Sequence, residues 1–371
     1  MRLSIAEFPA ALRIPVRHAS ATRRETENVI CLVENDGLVG VGEGCPRSYV
    51  TGETVESARA WLGQHAATVV TAAATSGVDG LRSWTRANSA LIDSAPAAFC
   101  ALELALLDIL GRSAKQPLEE LLGHGRLDGP FAYTAVIGDS SPLIYTALLG
   151  RYVIGGFRDV KIKLSGDRDR DRAKVRWLRS KRLRVRADAN NLWTTSGQCI
   201  DHLRAIGSPF FAIEEPLQAS DITGFSEVAE ALGTRVILDE SALRASQLRE
   251  LPGDPNRWIL NCRVSKMGGL LRSLAAVAAA SDAGLGVIVG AQVGETSILT
   301  RAALPVSAHA GGSLLAQEGA FGTRLLREDL VEPVVMFGRA GRLKAEAAGP
   351  NRPGLGLDVH SARLKNVEPV I

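Results

Sequence analysis

From residue 131 onward, short apolar stretches typical of β-strands alternate with segments of helical periodicity, and this alternation repeats eight times. Eight such units predict a parallel sheet in which each strand is followed by a helix, and the number eight favours closure into a barrel. The expected strands are 131–138, 159–164, 184–189, 210–216, 235–240, 257–263, 286–292 and 313–319. We therefore predict an α/β fold whose larger part is a (β/α) barrel.

The residues before the barrel have a different pattern. The stretch 28–44 reads as two strands joined by a turn at Asn35-Asp36-Gly37, because these residue types accept the positive φ of a tight turn. Its GVGEG glycines lie within a strand rather than between a strand and a helix, so they favour a structural role over a phosphate-binding loop. The segment 96–123 has the apolar period of buried helices, which we expect to be interrupted at Gly111 and Pro117.

We expect three parts: an N-terminal α+β domain over 1–125, the barrel over 126–329, and a C-terminal segment over 330–371 that returns to the first domain. A formal net charge of +3 gives no support for nucleic acid or a membrane surface as the main partner. Five scattered cysteines without CxxC spacing argue against disulfides and structural zinc, which suits a cytoplasmic protein. No signal peptide and no apolar run of membrane-spanning length is recognised.

Charged residues lie at the ends of successive predicted strands, where barrels of this kind place their chemistry. Asp188, Glu214 and Asp239 follow three consecutive strands, so their carboxylates are expected at one level of the barrel. Converging carboxylates repel one another unless a cation neutralises them, and an all-oxygen ligand set suits Mg²⁺. The alternative is that they are ordinary surface carboxylates on loops.

Two lysines precede them on the second strand. In the stretch DVKIKL, alternation at period two places Lys161 and Lys163 on one face. They are either solvated ammonium groups of an amphipathic strand or a pair directed into a buried site. A free lysine has a pKa near 10.4, and a base that works at neutral pH needs about 7 to 8. An ammonium about 6 Å away contributes roughly 2.8 kcal/mol toward this shift at an effective dielectric constant of ~20.

These motifs occur in a fixed order: K-x-K on strand two, D-x-N on three, E-E-P on four, D-E-S on five, and a glycine pair opening the helix after strand six. In this order they resemble the enolase superfamily, in particular the muconate-lactonizing subgroup of the mandelate racemase/muconate lactonizing enzyme family. The resemblance covers nearly the whole chain. It implies a modified TIM barrel with a capping domain whose loops, here around 17–25 and 46–54, close over the substrate.

The resemblance also implies a mechanism. Mg²⁺ held by the three carboxylates binds a small-molecule carboxylate substrate and stabilises the enediolate formed when a base removes the α-proton. By position, Lys163 is that base, and Lys161 is the neighbouring cation that lowers its pKa. Association into a homo-oligomer is expected by analogy with the fold.

The sequence departs from the subgroup at the end of strand six, where a second lysine is usual and Arg263 stands instead. Because the pKa of arginine is about 12.5 to 13.8, we interpret Arg263 as a fixed cation or hydrogen-bond donor rather than a base. Lys266 is the alternative second base. The sequence therefore favours a reaction that needs only one base, either β-elimination by a dehydratase or cycloisomerisation. The alternatives are a racemase or epimerase of an amino-acid derivative, although the D-x-D pair of dipeptide epimerases near strand eight is missing, and a ligand-binding homologue without turnover.

The remaining candidates each have a structural alternative. Asn190 supports the metal ligands or caps a turn, and Glu240 contacts the ligands or forms an ordinary salt bridge. Glu295 reaches the substrate or caps the following helix. Glu318 binds a polar group of the substrate or lines the barrel.

Overall fold

The computed structural model describes residues 1–17, 22–179 and 181–371. The N-terminal part consists of an antiparallel sheet packed against helices, and Asp36 and Gly37 form the predicted tight turn between two of its strands, both with positive φ. Its elements are β1 (Arg2–Phe8), β2 (Ala11–Arg17), β3 (Thr22–Glu25), β4 (Asn28–Asn35), β5 (Leu38–Gly44), α1 (Val55–Ala87), α2 (Ser89–Ser94), α3 (Pro96–Ala114) and α4 (Leu118–Leu121). Of the predicted capping loop 17–25, residues 18–21 lie outside the described part of the chain.

The alternating glycines of β5 allow α3 to pack directly on the sheet. A Cβ atom at Gly42 would lie 2.0 Å from the carbonyl oxygen of Ala101, and one at Gly44 would lie 2.0 Å from that of Ala97. The glycines therefore form a groove for a helix backbone, as the structural interpretation predicted. The helix itself runs through Gly111, so the predicted interruption there is wrong: a Cβ at this position would lie 2.7 Å from the Cα of Gly354, and glycine permits that close approach.

The barrel follows the predicted alternation of strands and helices. Its elements are β6 (Phe131–Ala132), β7 (Ala135–Ile137), α5 (Pro142–Ile154), β8 (Asp159–Lys163), α6 (Arg168–Arg179), β9 (Arg184–Asp188), α7 (Ser196–Ile206), β10 (Ala212–Glu214), α8 (Ile222–Leu232), β11 (Arg235–Leu238), β12 (Trp258–Cys262), α9 (Val264–Met267), α10 (Leu270–Asp282), β13 (Gly286–Val289), α11 (Ser297–Ala310) and β14 (Leu314–Gln317). The strands β7 to β14 form one eight-stranded sheet in chain order, and the ladders between neighbouring strands are parallel. This confirms the predicted modified TIM barrel.

One boundary differs from the prediction. The stretch 131–138 is not a single strand, because β6 pairs outside the barrel with a C-terminal strand and only β7 joins the eight-stranded sheet. Between them, the amide of Thr134 donates to the carbonyl of Gln317 at 2.8 Å, which links the first edge of the barrel sheet to its last strand.

The C-terminal segment contributes short strands to several sheets. These are β15 (Val331–Glu332), β16 (Arg342–Leu343), β17 (Asp358–Val359) and β18 (Lys365–Pro369). The last of them pairs antiparallel with β1, so the end of the chain extends the N-terminal sheet. The domain limits at 125 and 329 stay predictions.

Buried carboxylates of the N-terminal part bind the first turns of two barrel helices. Glu43 accepts hydrogen bonds from the amide and hydroxyl of Thr296, at the start of α11, and Glu103 accepts from the amide of Leu270, at the start of α10. The first amides of a helix have no partner within the helix, and these buried side-chain oxygens supply the missing acceptors. A fully buried ion pair between Arg301 of α11 and Glu119 of α4 forms a third link.

All five cysteines are buried, and none forms a disulfide within the described residues. Among the helices of residues 1–17, 22–179 and 181–371, none has the length and apolar character of a membrane span.

Candidate active site

The parallel register brings the predicted strand-end residues together. Asp188 lies opposite Lys163 in the ladder of β8 with β9, and opposite Glu214 in the ladder of β9 with β10. Asp239 and Arg263 follow directly after β11 and β12. Because parallel strands end at the same edge of the barrel, these side chains form one continuous charged network.

Lys161 lies at the centre of this network and is almost fully buried. Its Nζ is 2.9 Å from Oε2 of Glu214, 2.7 Å from Oε2 of Glu318 and 4.0 Å from Oδ2 of Asp188. Burial alone would lower the pKa of Lys161, but the charges of these carboxylates outweigh it and raise the pKa. Its positive charge is therefore largely compensated, and its predicted action on the pKa of Lys163 stays a prediction.

Glu318 has both carboxylate oxygens bound by cations. Oε2 contacts Lys161, and Oε1 accepts a hydrogen bond from Nη2 of the fully buried Arg186 at 2.8 Å. Burial would raise the pKa of Glu318, yet these two cations lower it to about 2. This geometry favours the alternative in which Glu318 lines the barrel over the one in which it binds substrate.

Lys163 is the most exposed of the three cations Lys161, Lys163 and Arg263 at these strand ends. Its side chain is 20% exposed, against 5% for Lys161 and 12% for Arg263. Its Nζ donates to Oδ1 of Asn190 at 2.7 Å and lies 3.6 Å from Oδ2 of Asp188. The amide of Asn190 in turn donates to Asp188 at 3.0 Å, so the asparagine connects the lysine to a predicted metal ligand.

Arg263 joins two of the predicted metal ligands. Its Nη2 contacts Oδ2 of Asp239 and lies 3.6 Å from Oε1 of Glu214, while its Nη1 donates to Oε1 of Gln292 at 2.9 Å. Lys266 is fully buried below it and donates to Oδ1 of Asp239 at 3.0 Å and to backbone carbonyls. Burial and the charge of Arg263 lower the pKa of Lys266 to about 8.

Glu215 and Glu240 follow the ligand strands but do not form the network itself. Glu215 accepts hydrogen bonds from the amide of Asp239 at 2.6 Å and from the amide and hydroxyl of Ser241, so it fixes the loop that carries Asp239. Burial, followed by the charges of Glu215, Glu214 and other nearby carboxylates, raises the pKa of Glu240 to about 7.

The loop after β13 completes the site with residues that the sequence analysis had not recognised. Gln292 binds Arg263, and its amide donates to Oε1 of Glu295 at 2.5 Å. The helix cap is Thr296, whose hydroxyl accepts a hydrogen bond from the amide of Ile298, and not Glu295, so the alternative in which Glu295 caps this helix is wrong. Arg47 is fully buried and donates to the carbonyl of Val293 at 2.7 Å, which ties the predicted capping loop 46–54 to this barrel loop. A lone arginine after a proline gave no signal for this contact.

The chemistry of the ligands fits a hard divalent cation, because Asp188, Glu214 and Asp239 are buried carboxylates on adjacent strands. Next to Glu214, the side-chain oxygen of Asn261 is buried and has no hydrogen-bond partner among the described residues. The three carboxylates are nevertheless engaged by lysine and arginine side chains. Within the described ranges, no group of three or more histidine, cysteine, aspartate or glutamate side chains is placed to hold a metal ion.

A cavity of about 420 Å³ lies elsewhere, between the N-terminal sheet and the start of α1. None of the charged residues at the ends of the barrel strands lines this cavity. Five glutamates contribute to its wall: Glu7, Glu25, Glu27, Glu53 and Glu56.

Two family models match the chain. Residues 1–123 match the N-terminal domain of mandelate racemase/muconate lactonizing enzyme, and residues 145–363 match the enolase C-terminal domain-like family. The fold and the site therefore define an enzyme of the enolase superfamily. Within it, the chain belongs to the mandelate racemase/muconate lactonizing enzyme family, which confirms the resemblance seen in the sequence.

Three relatives with named activities are an epimerase, a racemase and a cycloisomerase, which are all isomerases. The chain is 30% identical over 359 residues to an L-Lys-D/L-Arg epimerase of Methylococcus capsulatus, covering 94% of this chain and 96% of that protein. It is 23% identical to an N-succinyl-L-Arg/Lys racemase of Bacillus cereus, with 96% and 95% covered. A chloromuconate cycloisomerase of Pseudomonas putida is 25% identical, with 98% and 97% covered.

A solved structure of the dipeptide epimerase from Methylococcus capsulatus, in complex with Mg and the dipeptide L-Arg-D-Lys, superposes with a TM-score of 0.79. It is 28% identical, and the match covers 96% of this chain and 99% of that one. These relatives support the racemase or epimerase alternative better than the elimination or cycloisomerisation that the sequence analysis placed first.

Proposed function

We propose that the protein is a racemase or epimerase that removes and returns the α-proton of an amino-acid derivative with a free carboxylate, such as a dipeptide or an N-acylated amino acid. The activities of the relatives support this class of substrate. The observation that carries the proposal is the position of Lys163. It ends a barrel strand beside Asp188, and it is the strand-end cation with the most exposed side chain.

In this proposal Lys163 is the base. Its ammonium is held by Asn190 at 2.7 Å, which orients it at the mouth of the barrel. Deprotonated Lys163 takes the α-proton, and the electron pair of the C–H bond moves into the substrate carboxylate to give an enediolate. Lys161 is bound by carboxylates below, where it helps to hold Glu214 in place.

We further propose Mg²⁺ as the cofactor, held by Asp188, Glu214 and Asp239. When bound, the ion supplies positive charge that stabilises the negative charge developing on the substrate carboxylate. Glu215 accepts a hydrogen bond from the amide of Asp239 and so fixes the loop that carries it, which makes Glu215 a positioning residue for the site.

A mechanism with two bases requires a second base on the opposite face of the substrate. Arginine is a poor base near neutral pH, so Arg263 is not assigned as a second base, and Lys266 is buried and bound by carbonyl groups. Inversion therefore uses a solvent proton on the side of Arg263. The same residue favours a second candidate function, β-elimination or cycloisomerisation, because in that chemistry Lys163 alone handles the proton.

Incubation with Mg²⁺ and a library of dipeptides and N-acylated amino acids in D₂O tests both candidates. The expected result is deuterium at the α-carbon together with inverted configuration. Lys163→Ala should lower the exchange rate by about 10²- to 10⁴-fold, the usual contribution of a general base. Lys365→Ala, which removes an exposed lysine of β18, is the matched control and should leave exchange unchanged.

Two other outcomes would support the alternative functions. Elimination or ring closure without inversion would support the second candidate. Absence of exchange with every compound that binds tightly would contradict both and support a binding protein without turnover. The homo-oligomeric state and the cytoplasmic location stay predictions.

A further inference from the structure

Both oxygens of Asp239 are bound by cations. Oδ2 contacts Nη2 of Arg263, and Oδ1 accepts from Nζ of Lys266 at 3.0 Å. The same Nη2 atom lies 3.6 Å from Oε1 of Glu214. Since Asp239 and Glu214 are nearly inaccessible to solvent, the guanidinium occupies a position in which positive charge is needed to offset two buried carboxylates.

The surroundings of Arg263 are shaped to hold it from two sides. Residue 290 is glycine, and a Cβ atom there would lie 3.1 Å from Cγ of Arg263 and 2.1 Å from Oδ1 of Asn261. On the side away from the carboxylates, Nη1 donates to Oε1 of Gln292 at 2.9 Å. The Nε atom is buried and has no hydrogen-bond partner in the described residues. The guanidinium thus has one anchor on the predicted metal ligands and another on a neutral amide.

We infer that Arg263 is an internal competitor of the divalent cation for Asp239 and Glu214. In this structure the guanidinium joins the two carboxylates, and loading the site requires Nη2 to leave Asp239 while Nη1 keeps its contact with Gln292. The inference rests on the metal site of the proposed function and deepens it. It assigns to Arg263 a role in setting metal affinity and in stabilising the metal-free protein, which are separate from proton transfer.

Metal affinity and thermal stability test this inference without any substrate. Binding of Mn²⁺ is measured by electron paramagnetic resonance and binding of Mg²⁺ by calorimetry, and Tm is measured in EDTA and in Mg²⁺. The proteins are the wild type, Arg263→Met and Arg263→Lys. Arg184→Met is the control, because Arg184 begins β9 at the opposite end of the barrel and donates to the carbonyl of Leu315.

We expect Arg263→Met to bind Mn²⁺ at least tenfold more tightly than the wild type, because one competing positive charge is removed. In EDTA its Tm should be lower than that of the wild type, because two buried carboxylates lose their counter-charge, and Mg²⁺ should restore it. Arg263→Lys should fall between the two, since an ammonium cannot bridge two carboxylates as a guanidinium does. Arg184→Met should bind metal like the wild type.

Equal or weaker metal binding by both Arg263 variants would overturn the inference. If those variants also keep metal-dependent exchange, the proposed function stands and only the role of Arg263 falls. Absence of Mn²⁺ and Mg²⁺ binding in all four proteins would overturn the inference and the metal site together. If Arg263→Met does not fold without metal, Arg263→Lys and the Mg²⁺-dependence of its Tm still decide the question.

Discussion

Replacing Glu103 by glutamine should remove about 3 kcal/mol of the pH dependence of stability between pH 5 and pH 7.5. Glu103 is fully buried on α3. Its Oε2 accepts from the amides of Leu270 and Leu271, whereas its Oε1 is buried and has no partner in the described residues. Burial raises the pKa of Glu103 from 4.5 to about 8, although the two amides and the charge of Arg272 act against this shift. Glutamine reproduces the protonated form, because it keeps the acceptor and carries no charge.

The sign and size follow from proton linkage. Between pH 4.5 and 8 the folded protein holds a proton on Glu103 that the unfolded chain releases, so stability falls as pH rises through this window. At about 1.36 kcal/mol per unit, the loss reaches about 3 kcal/mol by pH 7. For a chain of 371 residues the unfolding entropy is about 0.8 kcal/mol per degree, so the corresponding shift in Tm is about 4 °C.

The assay is urea unfolding of the wild type, Glu103→Gln and the control Glu368→Gln at pH values from 5 to 8. The side chain of Glu368 is 68% exposed on β18. From pH 5 to pH 7.5, the free energy of unfolding of Glu103→Gln should rise relative to that of the wild type by about 3 kcal/mol. The free energy of unfolding of the control should change with pH as that of the wild type does. Parallel curves for the wild type and Glu103→Gln would refute the reasoning.

Three further predictions concern the ion pairs and the metal. Arg301→Met should lower the free energy of unfolding by about 3–5 kcal/mol because it leaves Glu119 buried and charged, and adding Glu119→Gln should recover part of this loss in the same denaturation assay. Glu318→Gln should slow α-proton exchange by roughly 10- to 100-fold. This factor corresponds to the loss of a charged hydrogen bond to Lys161, which contributes about 1.5–3 kcal/mol. An unchanged exchange rate would show that this contact has no part in catalysis. Dialysis against EDTA should abolish exchange and Mg²⁺ should restore it, and activity that survives chelation would contradict the cofactor.

The barrel and its charged rim could be predicted because they depend on local patterns. Apolar strands at regular spacing and a polar residue at each strand end are visible without any knowledge of tertiary contacts. The split of 131–138 was not visible, because it depends on β16 pairing with β6 from about 200 residues further along the chain. The strand propensity of a segment does not show which other strand its backbone will pair with.

The arrangement within the site was predictable only in part. The sequence indicated that Asp188, Glu214 and Asp239 face one centre, but not that Glu318 and Arg263 would contact the same groups. The contact of Glu318 with Lys161 joins strands at opposite ends of the barrel sequence, whereas Arg263 contacts carboxylates of the two preceding strands. In both cases the length of each side chain decides which charges meet. The pairing of Arg47 with the barrel loop likewise depends on how two domains pack.

The capping of α10 and α11 by Glu103 and Glu43 bears on how such enzymes can be recombined. Each carboxylate comes from the N-terminal domain, and each satisfies amides that belong to the barrel. A chimaera that takes its capping domain from another family member must supply an acceptor at both places, or the two helices will begin with buried, unsatisfied donors. The predicted capping loops can therefore be exchanged one at a time more readily than the whole domain that carries them.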